Sequence, residues 1–442
     1  DHEGGIISVL ADAAGVPPSQ MAVGSSEDPE LRAEVYSETA RRLRYCGIDT
    51  LLGPVADVNS EITNPVIGTR AFPGPSSMVS GLVAEAVRHY RDQGIITCLK
   101  HFPGHGCTSA DSHLTLPQVP PLSSQEGRNA LAPFAAGIGE GAEMVMTGNL
   151  TTGESPFPAS MDPEIIGFLR SRMDFRGVVI TDALEMKGAV ERARKTGEAV
   201  SVSAAALAAG NDLLLYSAPA CSAFEALGSE LDKAAGSKII DPSQVREAAS
   251  ESMSRVSDLR ERAMLGARGR EEGFAFSDDY YIRAAHAACR VYGDISRITA
   301  PCRLRFVGER SDFSLRPAQL FIAEIMDSMG LEMADRLSSP DRASSFLDKY
   351  LIPVSRSKNL MEIELDRGPG GSADILFLLC RNPSAGKGIA AAAGRGGIVV
   401  ISEYPPERMA AGEGNQVIIT LGTFPAAARE VVKILGLESN QK

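Results

Sequence analysis

Short apolar runs recur along the first half of this chain, at residues 48–58, 94–99, 142–147, 177–182 and 212–216. They are short and rich in Val, Ile and Leu, so they predict buried strands. Between them, residues 30–46, 78–93, 126–140, 163–173 and 198–209 space their apolar positions at helical intervals. This strand-then-helix rhythm predicts a parallel sheet, closed into a barrel or left open. Polar residues stand where the strands end: Asp1, Asp57, Lys100, Asn149 and Asp182. In a barrel those ends share one face, so side chains far apart in sequence converge on one pocket. An open doubly wound sheet predicts instead a crevice where the strand order reverses, and usually a glycine-rich phosphate loop. No GxGxxG follows a strand in this chain.

The pattern changes after residue 240. Residues 241–262 read as a long charged helix, and the Gly- and Arg-rich stretch 266–273 reads as a linker. Helical patterns follow at 279–292 and 321–329, then apolar strand candidates at 375–380, 398–401 and 417–421. The expected organisation is a large first domain over residues 1–265, a linker and connecting helix over 266–300, and a smaller α/β domain over 301–442. The Gly-rich stretches 368–371 and 394–397 lack the Lys-Ser/Thr ending of a phosphate-binding loop.

Composition narrows the function classes. A length of 442 residues exceeds one ordinary core, which agrees with two domains. A formal charge of −12 disfavours nucleic acid and anionic membrane surfaces as partners and suits a small, locally recognised substrate. No apolar run approaches the roughly 20 residues that cross a bilayer. The seven cysteines are odd in number and form no CxxC pair, which predicts reduced thiols and a cytoplasmic setting. A secreted or cell-wall location stays open, because the chain opens at Asp1 without an initiator Met. Oligomeric state is not legible.

The densest chemistry lies in residues 100–113, which follow the apolar run at 94–99. This stretch holds Lys100, His101, His105, Asp111 and His113 among Gly and Pro residues that forbid a continuing helix. Asp111 and His113 are one residue apart, so a turning loop can place both side chains on one side. A carboxylate beside an imidazole, whose ordinary pKa is about 6.5, makes a proton donor and acceptor near neutrality. The alternative is a turn-capping Asp with a solvated His beside it.

Four segments together resemble family 3 glycoside hydrolases, in their β-N-acetylglucosaminidase branch. They are Asp1-His2-Glu3-Gly4-Gly5, the stretch from Asn64 to Phe72 that contains Arg70, Lys100-His101-Phe102-Pro103-Gly104-His105-Gly106 followed by Asp111-Ser112-His113, and Val179-Ile180-Thr181-Asp182-Ala183-Leu184-Glu185-Met186. The matches run in the family's order over about residues 1–220. The resemblance implies a (β/α)8 TIM-type barrel, its first strand missing from this chain, followed by a smaller α/β sandwich. It implies that Asp182 is the catalytic nucleophile, that His113 is the acid/base with Asp111 orienting it, and that Asp1, Arg70, Lys100 and His101 bind sugar hydroxyls. Arg70 as a structural ion pair and Asp1 as a frayed terminus are the bland alternatives.

The activity implied is a retaining exo-β-N-acetylglucosaminidase acting on peptidoglycan-derived or related carbohydrate, without metal or cofactor. The chain departs from the family pattern at Ala183, where a second Asp is common, and at Cys107. It also has no Trp to stack on a sugar face. Rival readings are a β-N-acetylglucosaminide phosphorylase, another family 3 β-glycosidase, a catalytically silent sugar-binding module, and a metallohydrolase using His101, His105 and His113. Against the last, Lys100 beside the cluster repels a cation, and no HExxH is present.

Overall fold

The computed structural model describes residues 1–61, 64–108, 116–155, 157–186, 202–217, 242–267, 276–292, 302–309, 315–328, 343, 352–353, 360–366, 373–378, 398–401, 416–420 and 425–435. Asp111 and His113 lie outside them, as do both Gly-rich stretches and most of the expected linker.

A short antiparallel hairpin of β1 (His2–Gly4) and β2 (Ile7–Ser8) opens the chain. A parallel sheet follows, built from β3 (Thr50–Leu51), β4 (Ile96–Phe102), β5 (Met144–Thr147) and β6 (Val178–Thr181). Its spatial order is β3-β4-β5-β6, and a parallel bridge from Ile180 to Leu213 continues it. Strand order thus rises with chain order and never reverses, unlike the doubly wound alternative. The expected strand at 48–58 is reduced to β3 and a bridge between Val55 and Lys100, because Pro54 interrupts it and has no N–H to give the ladder.

Alternation along the strands builds two apolar faces. Ile96 and Cys98 of β4, Met144 and Met146 of β5, and Val178 and Ile180 of β6 form one, packed by Val256, Leu259 and Ala263 of the helix Pro242–Ala267. On the other face Leu99 packs closely around Gly137, where a Cβ would lie 2.8 Å from its methyl carbons. Gly137 belongs to the helix Gln125–Gly139, which packs on the helix Ser76–Asp92. At the strands' N-terminal side, Asp212 accepts from Arg170 at 2.7 Å, Arg255 at 2.8 Å, Ser252 at 2.8 Å and the Val179 amide at 2.8 Å. This buried carboxylate is spent on structure.

The second sheet is mixed. Its strands are β7 (Arg290–Tyr292), β8 (Cys302–Glu309), β9 (Ile352–Pro353), β10 (Leu360–Asp366), β11 (Ala373–Leu378), β12 (Ile398–Ile401) and β13 (Gln416–Ile419), in the order β7-β13-β12-β11-β8-β10-β9. Strands β13, β12, β11 and β8 run parallel, while β7 pairs antiparallel with β13, and β10 with β8. Phe306 of β8 stacks on Phe377 of β11 at 4.6 Å, and Phe321 of the helix Arg316–Ser328 meets Phe377 edge-on at 6.3 Å. The helical pattern at 279–292 ends sooner than expected. The helix stops at Ala288, Cys289 is extended, and residues 290–292 join the sheet edge as β7.

By internal packing the chain forms two units. One joins Asp1–Thr39, Gly68–Arg70 and Ala275–Lys442, and the other joins Ala40–Ile67 and Ala71–Phe274. The parallel sheet belongs to the second of these, and the mixed sheet to the first.

Candidate active site

The C-terminal edge of the parallel sheet gathers the polar residues expected there. Alternation puts Lys100 on the face of β4 that carries Ile96 and Cys98, and Asp182, one residue past β6, on the face of Val178 and Ile180. Cys98, Met144 and Val178 are in register across β4, β5 and β6, so both residues leave the same face at the same edge. Neighbouring strands lie about 4.8 Å apart, which sets β4 and β6 roughly 10 Å from each other.

Asp57 organises the β4 side of the edge. Its carboxylate is fully buried and accepts the His101 Nδ1–H at 2.8 Å, the His105 amide at 2.6 Å and, at 3.3 Å, the His101 amide. Because the carboxylate can only accept, Nδ1 carries the ring proton, and Nε2 is the ring nitrogen directed away from Asp57. The peptide bonds Lys100–His101 and Phe102–Pro103 are both cis. Lys100 itself is buried, and its carbonyl accepts the Ala56 amide at 2.8 Å.

The turn after β4 is clamped onto the Asp57 loop. A Cβ at Gly106 would lie 2.1 Å from the Val58 carbonyl oxygen, so only glycine allows this approach. Gly104 has φ +127, a conformation that other residues rarely adopt. Asn64 Nδ2 donates to the His105 carbonyl at 2.8 Å, while Asn64 Oδ1 accepts the Val66 and Ile67 amides at 2.8 and 2.9 Å. The His105 ring bonds to Thr108 Oγ1 at 3.0 Å through Nδ1 and meets the His101 ring edge-on.

Two thiols border this region, and neither is activated. Burial pushes Cys98 up to about 12, although the nearby Lys100 charge acts the other way. Burial, helped by the Asp57 charge, pushes Cys107 up to about 11. Both therefore stay protonated near neutrality, which leaves carboxylates and imidazoles to carry chemistry.

Asp182 is half-buried. Its amide donates to the Thr147 carbonyl at 2.8 Å, and its Oδ1 accepts the Ala183 amide at 2.8 Å. Among the described residues no hydrogen bond reaches its Oδ2. A carboxylate held by one oxygen at a strand tip is suited to nucleophilic attack through the other.

Two more residues marked by the sequence are Asp1 and Arg70. Both belong to the unit that contains the mixed sheet. There the Arg70 guanidinium grips Glu3 through two bonds, at 2.7 and 2.8 Å. The Asp1 carbonyl accepts the Val9 amide at 3.1 Å. Sequence reasoning noted Asp57 only as a strand-end residue and gave Glu3 no role of its own. Among the described residues no group of three His, Cys, Asp or Glu is arranged to hold a metal ion. No helix among them is long and apolar enough to cross a membrane.

A family profile described as "Glycosyl hydrolase family 3 N terminal domain" matches residues 1–252. The chain belongs to glycosyl hydrolase family 3. Asp57, Lys100, His101 and Asp182 lie within the matched range. A β-hexosaminidase of Chromobacterium violaceum is 34% identical over 229 residues, which are 49% of this chain and 61% of that one. A β-hexosaminidase A of Pseudoalteromonas piscicida is 32% identical over 207 residues, 42% of this chain and 35% of that one. This family 3 chain therefore spans less than two thirds of the length of these relatives. A solved family 3 β-N-acetylglucosaminidase from Paenibacillus sp. str. FPU-7 superposes with a TM-score of 0.69 at 24% identity, over 100% of this chain and 84% of that chain. That likeness concerns the fold.

Proposed function

We propose that this chain is a retaining exo-β-N-acetylglucosaminidase that removes terminal GlcNAc from peptidoglycan-derived or related glycosides. The observation that carries the reading is that Asp182 and Lys100 leave one face of one sheet edge, in a family 3 chain whose relatives are named β-hexosaminidases. In this reading the chain-ordered strands β3 to β6 are part of the wall of a (β/α)8-type barrel, and their C-terminal ends form its pocket. The catalytic domain runs to about residue 265, residues 266–300 connect, and residues 301–442 form the α/β sandwich. The thiols of Cys46, Cys98 and Cys107 are not in disulfides, which suits a reducing compartment.

The chemistry runs in two displacements. Asp182 attacks the anomeric carbon as the bond to the aglycone oxygen breaks, and His113, oriented by Asp111, gives that oxygen its proton. The glycosyl ester that results is then attacked at the same carbon by water, whose proton passes to His113 as Asp182 leaves. Two inversions give net retention. Lys100 and His101 bind the sugar's hydroxyls, and the assignment of Arg70 and Asp1 to the same task rests on the sequence motifs alone. Their charged groups make stronger hydrogen bonds than neutral donors, which helps a small polar ligand compete with water.

Release of 4-nitrophenol from its β-GlcNAc glycoside, compared with the β-glucoside and β-xyloside and with or without phosphate, tests this reading. The β-GlcNAc glycoside should be cleaved best and yield free GlcNAc under both conditions. No cleavage of any of the three, or GlcNAc 1-phosphate as the product, would overturn it.

A further inference from the structure

Behind Asp182 lies a closed circuit of buried hydrogen bonds that the proposed mechanism does not use. Its side chains are Thr147, Asn149, Ser160 and Asn211, each 0% exposed. The circuit begins at the Asp182 amide, which donates to the Thr147 carbonyl at 2.8 Å. Thr147 Oγ1 donates to Asn211 Oδ1 at 2.9 Å, and Asn211 Nδ2 donates to the Ser160 carbonyl at 2.8 Å. Ser160 Oγ donates to Asn149 Oδ1 at 2.7 Å, and Asn149 Nδ2 donates to the Ala183 carbonyl at 2.8 Å. The ring thus closes on the residue next to the one where it began.

The direction of each bond is set by its neighbours. Asn211 Nδ2 also donates to the Ala206 carbonyl at 2.7 Å, so its amide cannot turn over, and its Oδ1 must face the Thr147 hydroxyl. Ser160 must donate to Asn149, because Asn149 needs its own Nδ2 for the Ala183 carbonyl. In a low-dielectric interior such a chain of bonds is stiff, and loss of one member leaves the others unsatisfied.

Satisfying a buried backbone group requires only one partner, which a loop usually finds within itself. Here the short segment is held at both ends, at the Asp182 amide by the Thr147 backbone carbonyl and at the Ala183 carbonyl by the Asn149 side chain, and the Ser160, Asn211 and Thr147 side chains tie these two holds together. The Asp182 carboxylate takes a single bond, from the Ala183 amide at 2.8 Å. The backbone that aims the carboxylate is fixed from behind, and the carboxylate is left for the ligand.

We infer that Asn149 is a positioning residue for Asp182, acting through the Ala183 carbonyl, with Ser160 and Asn211 holding its amide in the required sense. The inference rests on Asp182 being the nucleophile, and it assigns a task to buried residues that the proposed chemistry leaves unused. A reacting group misplaced by about 1 Å can lose ~100-fold in rate, so the expected effect falls on kcat rather than on binding.

The test uses the full chain with Asn149→Ala and, separately, Ser160→Ala, which keeps the Asn149 side chain in place. Two readouts are taken well below the melting temperature. They are steady-state kinetics on 4-nitrophenyl β-GlcNAc and hydrogen exchange of the peptide spanning residues 178–186. Asn149→Ala should lower kcat about 30- to 100-fold with KM changed less than about 3-fold, and should speed exchange around residues 182–183 while β5 stays protected. Ser160→Ala should move both readouts in the same direction by a smaller amount, about 5- to 10-fold in kcat. Wild-type kcat and wild-type exchange in Asn149→Ala, or a change confined to the melting temperature, would overturn the inference. A wild-type chain that cleaves no β-GlcNAc glycoside defeats the functional reading instead, and the exchange data then decide alone whether the circuit holds the Asp182 segment.

Discussion

Asp182→Asn is expected to lower kcat on 4-nitrophenyl β-GlcNAc by at least ~1,000-fold, since removing a covalent nucleophile from other hydrolases costs that much or more. The amide keeps the shape of the side chain and can still accept the Ala183 amide bond, so the melting temperature should stay within about 2 °C of wild type, as expected when no buried contact is lost. Under the proposed mechanism, what is lost is the negative charge that stabilises the oxocarbenium-like transition state and the oxygen that forms the ester. A 1,000-fold loss corresponds to about 4 kcal/mol of transition-state stabilisation, more than a displaced surface charge supplies. His113→Ala should behave differently. 4-Nitrophenolate leaves without a proton, so this variant should keep most of its rate on that substrate and lose it on alkyl glycosides. Kinetics of the two variants on both classes of substrate check the division of roles.

Asp57→Ala is expected to damage stability and activity together. Its carboxylate is the shared acceptor for the His101 ring and for the amides of His101 and His105. Alanine strands these donors in a buried space, and each unsatisfied donor costs about 1–3 kcal/mol. A total near ~3 kcal/mol corresponds to a fall of roughly 6–12 °C in melting temperature for a domain of this size. The same change removes the bond that orients the His101 ring, so turnover should fall even at temperatures where the variant remains folded. Asp57→Asn, which keeps one acceptor oxygen and loses the charge, should lie between alanine and wild type in both measurements. Thermal melting followed by circular dichroism, alongside the kinetic assay, checks this. A melting temperature unchanged in Asp57→Ala would remove Asp57 from the account.

Local patterns carried well into the structure, and long-range pairings did not. Strands β4, β5 and β6 are continuous apolar runs that stop on polar residues, so both their existence and the edge bearing Lys100 and Asp182 were legible. Strands β8 and β10 were missed, because a search for unbroken apolar runs passes over alternating ones. Arg303, Leu304, Arg305 and Phe306 alternate polar with apolar, as do Met361, Glu362, Ile363 and Glu364. The register sets Arg305 opposite Glu364 and Phe306 opposite Ile363, a pairing visible only once the two strands are known to be neighbours. Strand β7 was absorbed into a helix because the Tyr- and Ala-rich pattern before it continues smoothly through Cys289.

The candidate site divides in the same way. A carboxylate at a strand tip is a local signal, and so is a Lys-His pair ahead of a Gly-Pro turn. The grip of Asp57 on His101 joins residues 44 positions apart, and no periodicity announces it. Asn211 is separated from Thr147 by 64 positions, and its sequence neighbours mark only the end of an Ala-rich helix. Arg70 shows both cases. Its family motif carries a local signal of sugar binding, and the partner that holds its guanidinium, Glu3, lies 67 positions away in a pairing that no motif announces.

The central claim is that Asp182 forms a covalent bond to the sugar, and trapping that bond tests it most directly. A 5-fluoro analogue of GlcNAc with a fluoride leaving group slows hydrolysis of the glycosyl ester, so the adduct accumulates on the full-length chain and can be located by peptide mass spectrometry. The account predicts one added sugar per chain, carried by the peptide that contains Asp182 and absent from Asp182→Asn. An adduct on another residue, or turnover of the analogue with inversion and no adduct, would contradict it.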